Sequence, residues 1–215
     1  LYPPINLAAV HSRSAVAPGL PVTVLSINRF ERKKNISLAL QAFAHLRARA
    51  DLPERLRGEG ALRLVIAGGY DPRVSENVEY LAELRKLSDD LRLPPSAISF
   101  RTSISDEEKI ALLKECTVVV YTPSNEHFGI VPIEAMYMQR PVVACSSGGP
   151  LETVRDGETG FLSPPEPSQF SRALFELVSD PERAAAMGKR ASAIVEQKFL
   201  LSAFAAQLES YLLEN

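Results

Sequence analysis

Glu126 and Glu134, separated by seven residues, flank the tripeptide Gly129-Ile130-Val131. Those three amides are expected to open a helix. With no intrahelical partner, they point along the positive end of its dipole and form a seat for phosphate. Gly129 carries no side chain to hold an anion away. Two carboxylates beside such a seat suit polyol hydroxyls better than phosphates, because an ionised carboxylate only accepts hydrogen bonds. Glu134, about one turn into the helix, is read as the acceptor for a ribose hydroxyl. Glu126, on the loop, is read as a contact to a bound sugar. The bland alternative is a solvated Glu126 and a Glu134 favoured only by the helix dipole. Phe128-Gly129-Ile130 before the helix and Ser147-Gly148-Gly149-Pro150 after the next strand argue against it. His127 either touches the bound sugar or orients the loop.

The elements around this loop place it. An apolar strand, Val118 to Tyr121, runs into it, and Pro132 falls in the first helical turn, where its missing NH costs nothing. The helix closes near Gln139, and a second apolar strand runs from Val142 to Cys145. Such a strand-loop-helix unit puts the loop at the carboxyl edge of a parallel sheet, where open α/β folds bind ligands. Val22 to Ile27 is the first buried strand and ends in the basic run Asn28 to Asn35. A helical stripe of Ile36, Leu38, Ala39, Leu40, Phe43 and Leu46 follows, with Asn35 as N-cap. The basic run therefore faces the same edge as Glu126. Leu62 to Ala67 forms a further strand ending at Gly68-Gly69-Tyr70, glycines that either admit a ligand or simply make a tight turn. Neither turn reads GxGxxG, which argues against a dinucleotide fingerprint.

Val74 to Leu91 reads as a helix with Val78, Leu81, Leu84 and Leu87 on one face, and Ala97 to Phe100 as a short strand. Ser105 and Glu108 form a capping box for a helix whose Ile110, Leu112 and Leu113 enter the core. Leu151 to Val154 begins a short helix, Phe161-Leu162 an edge strand, and helices follow at 167–179, 181–197 and 202–213. The fold class is α/β, a Rossmann-like parallel sheet with helices on both faces. Residues 1–20, without periodicity, read as a linker, 21–198 as one domain, and 199–215 as a terminal helix.

At 215 residues, 46% hydrophobic and 23% charged, the chain can bury a sizeable core, and its net charge of −2 gives no reason to expect nucleic acid as a partner. Anion binding must be local. Cys116 and Cys145 have no metal-ligand spacing and read as buried thiols. His11 and His45 read as structural or exposed, and no constellation of His with acids marks a metal site. No apolar run is long enough to span a membrane, and the chain, which begins Leu1-Tyr2-Pro3-Pro4, reads as a piece of a longer protein.

The E-x7-E loop resembles the donor-binding motif of the retaining GT-B glycosyltransferases of family 4. The longer strings SNEHFGIVPIEAMYMQRPVVACSSGGPLE, SINRFERKKN and AGGYDPRVSENVEY are similar to the branch that uses GDP-mannose. The resemblance covers nearly the whole chain. It implies the C-terminal, donor-binding half of a GT-B fold, with mannose moving to a dolichol-linked oligosaccharide. Arg29 and Lys34 match the family's pyrophosphate-binding Arg and Lys. Asn35 stands where the family commonly has Gly, which leaves Lys33 as a competitor. The nucleobase is placed against the backbone of Ser103 and Ile104. The resemblance also implies no cofactor and no metal, with cations and amides bearing the leaving-group charge. It implies an acceptor held by an N-terminal domain outside this chain, toward which Phe204, Leu208 and Tyr211 of the last helix face unless they pack on their own domain. Membrane association is implied for the full-length enzyme at the cytosolic face of the endoplasmic reticulum. Two other readings stay open, another member with a donor such as UDP-glucose and a nucleotide-sugar-binding module without catalysis.

Overall fold

A computed structural model of the chain describes residues 20–213. Its strands are β1 (Val22–Ile27), β2 (Leu62–Gly68), β3 (Ile98–Thr102), β4 (Val118–Tyr121), β5 (Val142–Cys145) and β6 (Gly160–Ser163). They form one sheet in the order β3-β2-β1-β4-β5-β6, every pair parallel. Between them run helices α1 (Ile36–Arg47), α2 (Ser75–Asp90), α3 (Asp106–Glu115), α4 (Ile130–Tyr137), α5 (Pro150–Thr153), α6 (Pro167–Ser179), α7 (Pro181–Lys198) and α8 (Leu201–Leu213).

Central strands covered on both faces read as unbroken apolar runs, and the pleat deals their residues alternately to two cores. Val24, Leu64, Ile66, Val118, Val120 and Val143 pack with Phe43, Leu84 and Phe170 of α1, α2 and α6. Leu25, Ile27, Val65, Val119, Tyr121 and Ala144 pack with Leu113 of α3, Ile133 and Met136 of α4 and Val195 of α7. Helices thus cover both faces, as the apolar pattern requires.

Element boundaries agree with the sequence to within a residue or two, and β6 is the edge strand expected at Phe161-Leu162. The capping box of α3 is formed: the Ser105 amide donates to the Glu108 carboxylate at 2.8 Å and the Glu108 amide donates to Ser105 Oγ at 3.2 Å. Two details differ. Val78 is 41% exposed, and Asn77, Tyr80, Leu81 and Leu84 form the inward face of α2. Asn35 occupies the N-cap position of α1 in the left-handed region (φ 48°), and its side chain makes no bond to the helix amides. Its Oδ1 instead accepts from Ser37 Oγ at 3.0 Å. The linker expected over residues 1–20 lies, apart from Leu20, outside the described residues, as does His11; His45 is exposed.

The sheet order reverses between β1 and β4. The chain lays β2 and β3 to one side of β1 and then returns to place β4 on the other. Loops leaving the carboxyl ends of β1 and β4 lead to helices on opposite faces there, the position at which doubly wound folds form a crevice.

Candidate functional site

Both sides of that crevice carry charge. The short turn Arg32–Lys34 follows β1 and delivers Lys34, 9% exposed, to the loop after β4. Lys34 Nζ donates to Glu126 Oε1 at 2.8 Å. The turn is fixed from below: Thr122, fully buried just past β4, donates from Oγ1 to the Lys34 carbonyl at 2.7 Å. The other oxygen of Glu126, Oε2, accepts from the Tyr121 hydroxyl at 3.2 Å. The Lys34 ammonium, opposed by burial and helped by Tyr121, holds the Glu126 carboxyl below its ordinary range. Burial, reinforced by the Glu126 charge, pushes the Tyr121 phenol well up, so it stays a donor.

The turn after β5 shapes the loop. The Gly149 amide donates to the Glu126 carbonyl at 2.7 Å, and the Asn125 amide donates to Ser147 Oγ at 3.1 Å. Gly148 sits at φ +61°, where a Cβ would lie 2.4 Å from the Glu126 carbonyl oxygen; a Cβ on Gly149 would lie 2.3 Å from that of Phe128. The paired glycines let the two loops touch along their backbones. Phe128 anchors the far end, edge-on to Phe199 at 6.0 Å between ring centres. Gly129 then starts α4, and among the described residues the amides of Gly129, Ile130 and Val131 have no hydrogen-bond partner.

Glu134 lies in α4 with its side chain 14% exposed, and Lys109 Nζ of α3 donates to its Oε1 at 2.8 Å. Burial pulls the Lys109 ammonium down, but Glu134 and Asp106 together outweigh it and raise its pKa. Among the described residues the other oxygen of Glu134, Oε2, makes no hydrogen bond, and a carboxylate oxygen accepts up to two.

The remaining cations separate cleanly. Arg29 and Lys33, 63% and 64% exposed, each lie 3.1 Å from one oxygen of Glu31. Lys34, not Lys33, is therefore the lysine beside Glu126, while Arg29 shares the edge but is turned to Glu31. Gly68 has a backbone reason of its own: a Cβ there would lie 1.9 Å from the Asn28 carbonyl oxygen, so it lets the tips of β1 and β2 meet. The Gly69 carbonyl accepts from the Phe30 amide at 3.1 Å, a hydrogen bond between those tips. Ser103, at φ +54°, donates its amide to Gly68 at 2.8 Å and its hydroxyl to the Tyr70 carbonyl at 2.7 Å. Both of its donors are thus taken within the protein. Ile104 packs against the second core, and His127 is exposed on the loop.

Three participants were not legible in the sequence. Tyr121 ends a VVVY run and reads as core; Thr122 reads as loop; Lys109 reads as a solvated helix residue beside the capping box. Among the described residues no three His, Cys, Asp or Glu side chains converge as metal ligands. The two cysteines are buried, their thiols pushed by desolvation to about 12 for Cys116 and about 11 for Cys145.

The arrangement offers an anion seat of free amides, a lysine at its edge, and two carboxylates held by protein donors. Known proteins resemble this chain in sequence and fold. The family described as "Glycosyl transferases group 1" matches residues 11–193. The human Alpha-1,3/1,6-mannosyltransferase ALG2 is 46% identical over 217 residues, 98% of this chain and 51% of the human protein. The Rhizomucor pusillus protein of the same name is 40% identical over 237 residues, 100% of this chain and 52% of that one. The chain spans about half the length of the curated relatives it matches. Among solved structures, the sucrose-phosphate synthase of Thermosynechococcus elongatus superposes with a TM-score of 0.77 at 28% identity, over 99% of this chain and 49% of that one. The C-terminal domain of a glycosyl transferase group 1 family protein (LpcC) from Francisella tularensis shares the fold, with a TM-score of 0.70 at 21% identity over 87% of this chain and 96% of that one. A doubly wound sheet with its charged residues at the β1/β4 reversal, and a family match over most of its length, make this chain a member of the group 1 glycosyl transferases, with the Rossmann-like architecture of one half of a GT-B fold.

Proposed function

We propose that the chain is the donor-binding half of a retaining mannosyltransferase that moves mannose from GDP-mannose to a dolichol-linked oligosaccharide, at the cytosolic face of the endoplasmic reticulum. The observation that carries the site is the meeting of Lys34 with Glu126 across the β1/β4 crevice, beside the uncommitted amides of Gly129, Ile130 and Val131. The choice of mannose rests on relatives named mannosyltransferases at 40–46% identity.

In this reading the diphosphate lies on the α4 amides. Lys34 lies alongside, and Arg29 exchanges Glu31 for the diphosphate, two of whose oxygens it can fork with parallel N–H donors. The bond from the anomeric carbon to the distal phosphate oxygen breaks, and the acceptor hydroxyl attacks from the same face. Same-face attack retains configuration, and the acceptor's proton passes to the departing phosphate oxygen. Charge grows on that phosphate during departure, and removal of one donor to it costs about 100-fold to 1,000-fold in rate. Glu126 accepts from the sugar hydroxyls and Glu134 Oε2 from the ribose. The base lies against Ser103 and Ile104, with the Gly68-Gly69 tip alongside, and His127 stands at the mouth of the sugar site. Metal independence belongs to the proposal, because cations and amides already supply the neutralising charge.

The lipid-linked acceptor is assigned to the half of the protein outside this chain. On α8 the exposed Leu208 and Tyr211 and the half-buried Phe204 are the surface proposed to meet that half, with the exposed Leu201, Leu212 and Leu213 beside them. Among the described residues no helix is long and apolar enough to cross a membrane, and membrane association is proposed for the full-length enzyme.

Calorimetry with GDP-mannose, UDP-glucose and GDP, each with and without EDTA, tests the donor. GDP and GDP-mannose binding unaffected by EDTA is expected. Preference for UDP-glucose would assign another donor, and absence of all nucleotide binding would overturn the site. Transfer of mannose on addition of the N-terminal half separates an enzyme from a binding module.

A further inference from the structure

Glu126 is held from two sides that differ in stiffness. Lys34 reaches one oxygen from a four-carbon stem whose ammonium can rotate among three donors. Alone, it would leave the carboxylate free to swivel, because the terminal torsion of glutamate is broad. The second donor comes from elsewhere. Tyr121 is the last residue of β4 and is 3% exposed; its ring is packed in the second core, so its hydroxyl is placed by the sheet and not by the loop. Gly129 closes the remaining space, since a Cβ there would lie 3.2 Å from that hydroxyl.

We propose that Tyr121 is a positioning residue: its buried hydroxyl, donated to Glu126 Oε2, fixes the plane of the carboxylate that receives the transferred sugar. This rests on the donor-site reading above. Each carboxylate oxygen accepts two hydrogen bonds, so Lys34 and Tyr121 take one each and leave one apiece for sugar hydroxyls. Tyr121 itself stays beneath the site and touches no ligand. The phenol remains protonated because burial disfavours its anion and Glu126 disfavours it further.

Tyr121→Phe removes the hydroxyl and keeps the ring. In calorimetry on the 215-residue chain, its Kd for GDP is expected to stay within about twofold of the parent. Its Kd for GDP-mannose is expected to rise about tenfold, the size of one hydrogen bond. Because Tyr121 acts through Glu126, adding Tyr121→Phe to Glu126→Ala is expected to change the GDP-mannose Kd by less than about twofold. An equal loss for both ligands would mark a mere packing role. That result, no loss for either ligand, or a full additional loss in the double variant each overturns the proposal. A parent chain that binds neither ligand defeats the donor-site reading, and this role falls with it.

Discussion

Replacing Lys34 by Met isolates the contact on which the site depends. The variant keeps an aliphatic stem and loses the ammonium, so Glu126 retains only the Tyr121 hydroxyl. A hydrogen bond between charged groups contributes about 1.5–3 kcal/mol. Glu126 keeps 31% of its side chain exposed, and screening there places this one toward the low end, about 2 kcal/mol. In a chain of this size that lowers Tm by roughly 4–8 °C at neutral pH. The pH dependence gives the sharper reading. The Glu126 carboxyl is depressed in the folded protein, so its contribution is fully present above the unfolded pKa of about 4.3 and is lost as pH falls through the folded value. Parent and variant are therefore expected to differ most at pH 7, with the gap narrowing as pH falls below the unfolded value of about 4.3. Melting curves by circular dichroism between pH 3.5 and 7 measure the gap directly. A Tm difference that is constant across that range would refute the pairing as its source. The same variant is expected to bind GDP about 10- to 100-fold more weakly, and unchanged GDP affinity would remove Lys34 from the phosphate site.

Gly149→Ala pushes a Cβ into the Phe128 carbonyl and is expected to destabilise the chain by about 1–3 kcal/mol while abolishing GDP binding, which denaturant titration and calorimetry check together. Glu134→Ala is expected to erase discrimination between GDP and 2′-deoxy-GDP; a variant that still prefers the ribose form would remove the ribose assignment. Ser105→Ala breaks the α3 capping box and should cost about 1 kcal/mol of stability, seen in urea melts, with GDP affinity unchanged. Cys116 and Cys145, buried and with thiols raised to about 12 and 11, should resist a thiol reagent at pH 8 until the chain is unfolded.

Much of this protein is set by local chemistry that a sequence displays. Short, β-branched apolar runs such as Val118 to Tyr121 and Val142 to Cys145 read as strands buried on both faces, and Ser105 with Glu108 announces its helix because both partners lie within one turn. The loop holding Glu126 and the amides of Gly129 to Val131 is equally local, since every part of it lies within one strand-loop-helix unit. What the linear order could not display is that β4 returns to lie beside β1. That single pairing brings Lys34 to Glu126 across 92 positions, settles Lys34 over Lys33, and sets Thr122 beneath the Lys34 carbonyl. Likewise Lys109 meets Glu134 only because α3 and α4 share one face of the sheet. Residue types and their spacing determined which charged groups and helix-opening amides the chain carries. Strand order decided which of them touch, because parallel pairing joins segments that no local signal links.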